Sequence, residues 1–411
     1  MELRGLDYLR QKLAHHKTRV DLRYAQYDMK HIDRYVGVTV PPVLRQQYRS
    51  VFGWCTKAVD AIADRLSFRG FDNDVFDFTE IFNLNNPDTF FDSAILSSLI
   101  ASCCFVYIST GSEEVPRLQV IDGGNATGII DPITGLLREG YAVLARDDYG
   151  RPKEEAYFTP DATYIYKDNK PVAQHTHSVG WPLLVPIIHR PDAVREFGRS
   201  RITRAAMYYQ QYAKRTMERA DLTAEFYSFP QKYVLGLSPE AERLDSWRAT
   251  ISSMLQFDKD SDGDKPSVGQ FNQPSMSPFT EQLRTAAAAF AGETGLTLDD
   301  LGFVTDNPSS AEAIKASHEN LRIAARKAQK NFGSGFINVG YLASCLRDDY
   351  AYKRNQFYTV VPKWEPVFEP DAATLSSIGD GAIKINQAVP DYFTAKTLRD
   401  LTGIKGGNDG R

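Results

Sequence analysis

Apolar residues recur at spacings of three and four along several stretches of this chain, the pattern of amphipathic helices. Over residues 3–32 the stripe is Leu3, Leu6, Leu9, Leu13, Val20, Tyr24 and Tyr27, with Arg4, Arg10, Lys12, Lys17 and Arg19 between them. Such a basic helix is either an ordinary surface helix or one laid against a membrane or a partner. In "VFGWCTKAVDAIADRLSFRGF" the stripe is Val51, Cys55, Val59, Ile62 and Leu66, and Gly70 ends it, so a helix feeds a short strand. A long helix is predicted over 199–225, a stretch without proline. Its stripe is Ile202, Ala206, Tyr209, Ala213, Met217 and Ala220, and its charged side is mostly positive: Arg199, Arg201, Arg204, Lys214, Arg215 and Arg219.

Between 102 and 190 the period shortens to two. "CCFVYIS", "RLQVI", "REGYAVLAR", "EEAYFT" and "ATYIYK" are β-rich runs separated by "DPITG", "DDYGRP" and "KDNKP", which predicts an antiparallel sheet with one wet face. "WPLLVPIIHR" closes the block with prolines that resist both helix and central strand. Residues 226–277 read as an insert with a strand "QKYVLGL", a helix that Ser238 can cap, and a polar stretch. The next helix has Pro278 in its first turn and Gly295 at its end. Its "AAAAF" lets either a neighbouring helix or a passing polymer come close. "FYTVVPKWEPVFEPD" reads as a strand leaving the core, 372–404 as a small helical ending, and "KGGNDGR" as a frayed tail.

The helix after Pro308 carries its own start signal. Ser309 followed by Glu312 is a capping box, and Pro308 discourages helix at Asn307. Ile314, Leu321, Ala325, Ala328, Phe332 and Phe336 form its core stripe. Lys315, Arg322, Arg326 and Lys330 share another flank, where like charges four apart repel, so an acidic partner is expected opposite. That partner is a carboxylate of the same chain, a neighbouring subunit or a phosphate backbone.

With 411 residues the chain exceeds what one core serves, and 42% hydrophobic and 24% charged residues are ordinary for globular units. A net charge of −4 argues against a protein whose main task is gripping phosphates. Cys55, Cys103, Cys104 and Cys345 show no CxxC spacing, so a zinc site is not expected and a reducing compartment is the simple reading. The N-terminus lacks the apolar run of a signal peptide, and no stretch is long and apolar enough for a membrane span.

Two features imitate metal sites. Asp258, Asp260 and Asp262 precede Gly263 like the first half of a calcium loop, but Gly269 stands where a bidentate Glu is needed. His175 and His177 would share one face of a strand without a third ligand nearby. No phosphate-cradling glycine loop, GxSxG elbow or HExxH pair occurs. Metal or cofactor chemistry is therefore not expected.

The order of these parts resembles that of bacteriophage portal proteins, the head-to-tail connectors of long-tailed phages, in the subgroup of Gram-positive hosts. The likeness is carried by "YAQYDMKHIDRYVG" with "WCTKAVDAIADRLSFRGF", by "VPIIHRPDAVREFGRSRITRA", and by "ETGLTLDDLGFVTDNPSSAEAIKASHENLRIAARKAQKNFG". The resemblance implies an α+β portal fold: a mixed α/β wing over 1–195, stem helices at 196–225 and 278–291, and a small α/β clip at 226–277 between them. A channel loop follows at 292–307, then a long wing helix and returning strand at 308–369, and a short helical crown at 370–411.

It also implies a ring of twelve copies, a non-enzymatic role, and a place at one capsid vertex after assembly in the host cytoplasm. Partners would be double-stranded DNA in the channel, the terminase large subunit, a head–tail adaptor, and the capsid and scaffolding proteins, with no membrane. By the same resemblance Thr297, Asp299, Asp300, Thr305 and Asp306 face DNA, and Arg284, Ala287 and Ala288 line the stem. Trp247 and Arg248 meet motor or adaptor, and Lys315, Arg322, Arg326 and Lys330 face a neighbouring subunit. A conduit should not hold its cargo, and acidic residues in the loop fit that need, because each fixed cation on a phosphate adds affinity. The competing readings are a metal-dependent or phosphate-handling enzyme built on 258–264 and His175/His177, and a nucleic-acid binder built on the basic helices 199–219 and 315–330.

Overall fold

Burial follows the helical stripe in α1 (Leu6–Tyr27), where Leu9, Leu13 and Val20 are buried. A computed structural model describes residues 3–30, 49–111, 115–228, 232–235, 267–270, 272, 275–303, 316–368, 370 and 372–404 of the chain. The remaining elements run in order: α2 (Trp54–Ala63), β1 (Phe68–Asp72), α3 (Phe78–Asn83), α4 (Pro87–Ala101), β2 (Cys103–Ser109), β3 (Arg117–Asp122), β4 (Ala126–Ile130), β5 (Leu137–Arg146), β6 (Pro152–Phe158), β7 (Ala162–Lys167), β8 (Lys170–Thr176) and β9 (Leu184–Ile188). After them come α5 (Arg204–Ser228), β10 (Lys232–Leu235), β11 (Ser267–Gln270), α6 (Ser277–Thr294), α7 (Glu319–Arg347), β12 (Val361–Trp364), α8 (Ala372–Ala388) and α9 (Ala395–Thr402). The fold is a mixed α+β architecture in two units, one of 1–32, 53–207 and 292–411, the other of 33–52 and 208–291.

In the first unit the β-rich block forms two antiparallel sheets rather than one, with strand orders β3-β2-β9 and β4-β5-β6-β7-β8. Pro186 lies in β9, which is a strand after all, but an edge strand, where a missing N–H costs nothing. β8 is exposed along its whole length, so neither face imposes alternation.

The second half of α7 passes through the core. Gly333, Gly335, Val339, Gly340, Leu342 and Ala343 are buried on several faces, while the amphipathic first half buries Leu321, Ala325, Ala328, Phe332 and Phe336, as the stripe predicts. Around it lies an aromatic core in which Phe68 sits 4.3 Å from Phe91 and Phe91 4.8 Å from Phe336 by ring centroids. Glycines let the helix approach: a Cβ on Gly333 would lie 2.7 Å from Pro362, and one on Gly340 2.6 Å from the Phe78 ring.

The basic flank of α1 is spent inside the chain. Arg10 grips Glu155 at 2.7 and 3.1 Å, Lys12 donates to the Gly128 carbonyl at 2.6 Å, and Arg23 donates to Ala101, the last residue of α4, at 2.8 Å. Buried Glu139 accepts the Arg4 and Gly5 amides at 2.8 and 3.1 Å, holding the start of α1. No helix among the described residues is long and apolar enough to cross a membrane.

In the second unit β10 and β11 form an antiparallel ribbon with Lys232 opposite Gln270. Gln210, Ala213 and Thr216 of α5 are buried, as are Ala286, Ala287 and Phe290 of α6.

Candidate functional site

The segment "GRSRIT", 198–203, joins β9 to α5, and every polar group described below is engaged away from helix. Gly198 has φ +70° and a Cβ there would lie 2.1 Å from the His189 carbonyl, so only glycine fits. Arg199 pairs with Asp192 at 2.6 Å, and the Arg199 carbonyl accepts from His189 Nδ1 at 2.7 Å. Burial pushes the His189 imidazole down to about 4, so it stays neutral at pH 7. The Ser200 hydroxyl donates to the Ile100 carbonyl at 2.6 Å and accepts from the Ile202 amide at 2.9 Å. Helix therefore begins at Arg204, five residues after the expected start, and Thr203 Oγ1 caps it by accepting from the Ala206 amide at 3.1 Å. Arg199 and Arg201 are accordingly not on the cationic side of α5.

Arg201 is 8% exposed. Its Nε donates to the Ala58 carbonyl of α2 at 3.1 Å, and its terminal nitrogen donates to the carbonyl of Thr294, the last residue of α6. Desolvation lowers its pKa to about 10, with Arg190 adding to the fall and Glu293 opposing it, so it remains a cation at neutral pH. A cation at orphan carbonyls of a helix end is favourable. Two residues on, Thr203 Oγ1 donates to Glu293 Oε1 at 2.7 Å. The residues just before α5 and those ending α6 are thus tied twice. Gly295, at φ +68°, ends α6 where the sequence predicts.

After α6, Thr297 and Asp300 form a reciprocal cap. The Thr297 amide and hydroxyl each donate to the Asp300 carboxylate at 2.9 Å, and the Asp300 amide donates to Thr297 Oγ1 at 3.1 Å. His318 Nε2 stands 3.3 Å from Asp300 Oδ2. Burial pushes the Asp300 carboxyl up, but the Thr297 and His318 bonds outweigh it and hold the carboxyl below the usual range. Asp300 is therefore committed to its own chain and does not stand free toward a ligand, whereas neighbouring Asp299 is exposed. The pattern Thr297-x-x-Asp300 is a capping box legible in the sequence.

On α6, Arg284 and Ala288 are exposed, while Ala287 is fully buried and does not share their surface. Arg322 pairs with Glu319 of its own helix at 2.6 Å, which supplies the acidic partner expected for it. Arg326 and Lys330 are exposed. Trp247, Arg248, Thr305, Asp306, Ser309, Glu312, Lys315 and the acidic run 258–264 lie outside the described residues.

Among the described residues no group of three His, Cys, Asp or Glu is placed to hold a metal. His175 is exposed on β8, and His177 follows the strand half-buried. All four cysteines are buried and none is in a disulfide. Burial pushes the Cys55 and Cys103 thiols up to about 12. A surface recess of about 490 Å³ is lined by Tyr27, Asp60, Asp64, Asp92 and neighbours, with Tyr27 donating to Asp60 at 2.9 Å.

No protein-family model matches the sequence. Over 338 residues the chain is 26% identical to the portal protein of Mycobacterium phage L5, spanning 75% of this chain and 68% of that protein. Over 383 residues it is 25% identical to the portal protein of Mycobacterium phage D29, spanning 87% of this chain and 77% of that protein. Among solved structures, a chain from the neck of an empty gene transfer agent particle computed with C6 symmetry aligns at 13% identity and TM-score 0.48, covering 93% of this chain and 98% of that one.

Proposed function

We propose that this chain is the subunit of a phage portal, a ring at one capsid vertex through which double-stranded DNA enters during packaging and leaves on ejection. The observation that carries this reading is the similarity to two portal proteins over 75% and 87% of the chain. The role is structural and non-enzymatic, and the protein belongs in the virion. Its finer parts follow the order along the chain: residues 1–195 and 308–369 as wing, 196–225 and 278–291 as stem, 226–277 as clip, 292–307 as channel loop, and 370–411, with α8 and α9, as a small crown. The terminase motor and a head–tail adaptor would dock on the clip, with capsid and scaffolding proteins around the wing and DNA inside.

Charge supports a conduit. The chain carries −4 overall, and Asp299 stands exposed after α6 where the resemblance puts the channel loop. A lining poor in cations lets a duplex slide, because each phosphate neutralised by a fixed cation adds affinity.

Native mass measurement of the purified chain under assembly conditions tests the reading, with a closed ring of fixed subunit number expected. Asp299→Lys in the phage should shorten or stall genome packaging. Chains that stay single under every condition, together with phage lacking the protein that still fills its heads, would overturn it.

A further inference from the structure

Two glycines inside α8 leave a space that no neighbour fills. Glycine weakens a helix interior relative to alanine, and along α7 each of Gly333, Gly335 and Gly340 is matched by a neighbour that a Cβ would strike. At Gly379 and Gly381 a Cβ would meet nothing within 4 Å. Each is followed one turn later by an exposed isoleucine, Ile383 at 60% and Ile385 at 41%. With 3.6 residues per turn, the pairs Gly379/Ile383 and Gly381/Ile385 lie about 200° apart and so occupy opposite flanks of the helix. Between the flanks on one side are buried Ala382 and Asn386, which accepts from the Phe393 amide at 2.7 Å and donates to its carbonyl at 2.9 Å, holding α8 to its own chain. Asp380 and Lys384 are exposed on the other side, Asp380 nearer the first flank and Lys384 nearer the second.

We propose that α8 joins neighbouring copies of this chain head to tail, with Ile383 of one copy seated between Gly381 and Ile385 of the next. The proposal rests on the portal reading, in which copies stand side by side around one axis with equivalent helices parallel and at equal height. Ile383 is then about 3 Å along the axis from both Gly381 and Ile385 of the neighbour, and Asp380 about 6 Å from its Lys384, within reach of a lysine side chain. A head-to-tail contact needs two different surfaces that complement each other, and α8 carries both: each flank has a notch and a knob, and their borders bear opposite charge. Glycine is what lets a second helix come that close.

The full-length chain provides the test. Ile383→Cys, Ile385→Cys and the variant carrying both are treated under assembly conditions with a short bis-maleimide; the four natural cysteines are buried, and wild type gives the background. A head-to-tail contact brings position 383 of one copy to position 385 of the next, so the double variant should give a ladder of covalent multimers on a denaturing gel and each single variant only monomers. Gly381→Leu fills the notch and should lower the ring fraction in native mass spectrometry about tenfold, while amide exchange in α8 of the single chain stays at least as slow as in wild type. Asp380→Lys and Lys384→Asp should each lower the ring fraction about threefold, and the two together should restore it.

Rings in wild type with no ladder in the double variant, or Gly381→Leu rings as abundant as those of wild type, overturn the contact. Covalent dimers from either single variant mean that two copies meet by the same flank, which overturns the head-to-tail arrangement. Gly381→Leu phage that lose filled heads although their rings form normally assign the face to another virion protein and overturn a second copy as its occupant. A wild-type chain that stays single removes the portal reading instead. Multimers captured in the double variant at high concentration would then still support the α8 contact, and their absence would overturn it as well.

Discussion

Gly340 offers a graded test of how α7 is seated. Replacing a helical glycine by alanine normally stabilises by about 0.5–1 kcal/mol, because the unfolded chain loses freedom. At Gly340 the added Cβ would lie 2.6–2.7 Å from three atoms of the Phe78 ring. Phe78 is fully buried, with Phe71 and Phe357 at 5.2 and 5.5 Å, so the ring cannot swing away without displacing them. Overpacking of this kind costs about 1–3 kcal/mol, so Gly340→Ala should be destabilising by roughly 1 kcal/mol net. Gly335 meets only the far end of Ile187 at 2.7 Å, so Gly335→Ala should lie near neutral. Gly379 meets nothing within 4 Å, so Gly379→Ala should stabilise α8.

Urea unfolding followed by hydrogen exchange within the first unit reads the order. Combining Gly340→Ala with Phe78→Leu supplies the decisive cycle: the smaller side chain removes the clash, so the double variant should be more stable than the sum of the singles by about 1 kcal/mol. An additive cycle, or a Gly340→Ala chain as stable as wild type, would refute the argument that the helix is held by contact at this glycine.

Three further outcomes follow from the same geometry. Glu155→Ala strips Arg10 and the Tyr141 hydroxyl of their buried acceptor, and a loss of about 2–3 kcal/mol in urea unfolding is expected. His189 is held neutral down to about 4 while an unfolded imidazole takes a proton near 6.5, so the unfolded state binds more protons below that pH. Stability should therefore fall between pH 6.5 and 4 by up to roughly 3 kcal/mol, and His189→Asn should flatten that slope. Asp300→Ala removes the Thr297 and His318 bonds and should speed amide exchange at 297–301 and 318–320, with a local cost of about 1 kcal/mol and little change in the global midpoint.

The long helices were legible because one face of each is buried, and the 3.6-residue period records that face. Leu321, Ala325, Ala328, Phe332 and Phe336 could be read off as a stripe and are all buried. Further along α7, burial on several faces erases the period, and its glycines look like helix breakers until Pro362, Ile187 and Phe78 are seen against them. β8 lacks a period for the opposite reason, since a strand exposed on both faces has nothing to alternate against. The role of Arg201 was unreadable because it binds backbone carbonyls, and Ala58 and Thr294 offer no side-chain signature for it. At Asp300 two signals compete, an acidic loop position and the capping box Thr297-x-x-Asp300, and the carboxylate takes up the second.

The fate of several cations bears on the competing readings. Arg10 is held by Glu155, Arg23 and Arg201 by helix ends, Arg199 by Asp192, and Arg322 by Glu319. A nucleic-acid binder built on basic helices needs such side chains free to displace counterions, and affinity falls with each one withdrawn. Here, two of the cations assigned to the long stem helix lie before it, one of them buried. Arg204, Arg284, Arg326 and Lys330 stay exposed, so the cations withdrawn into the chain reduce the basic surface without abolishing it. Weak, shallowly salt-dependent DNA binding by the purified chain is the corresponding expectation, and tight binding with a steep salt slope would contradict it.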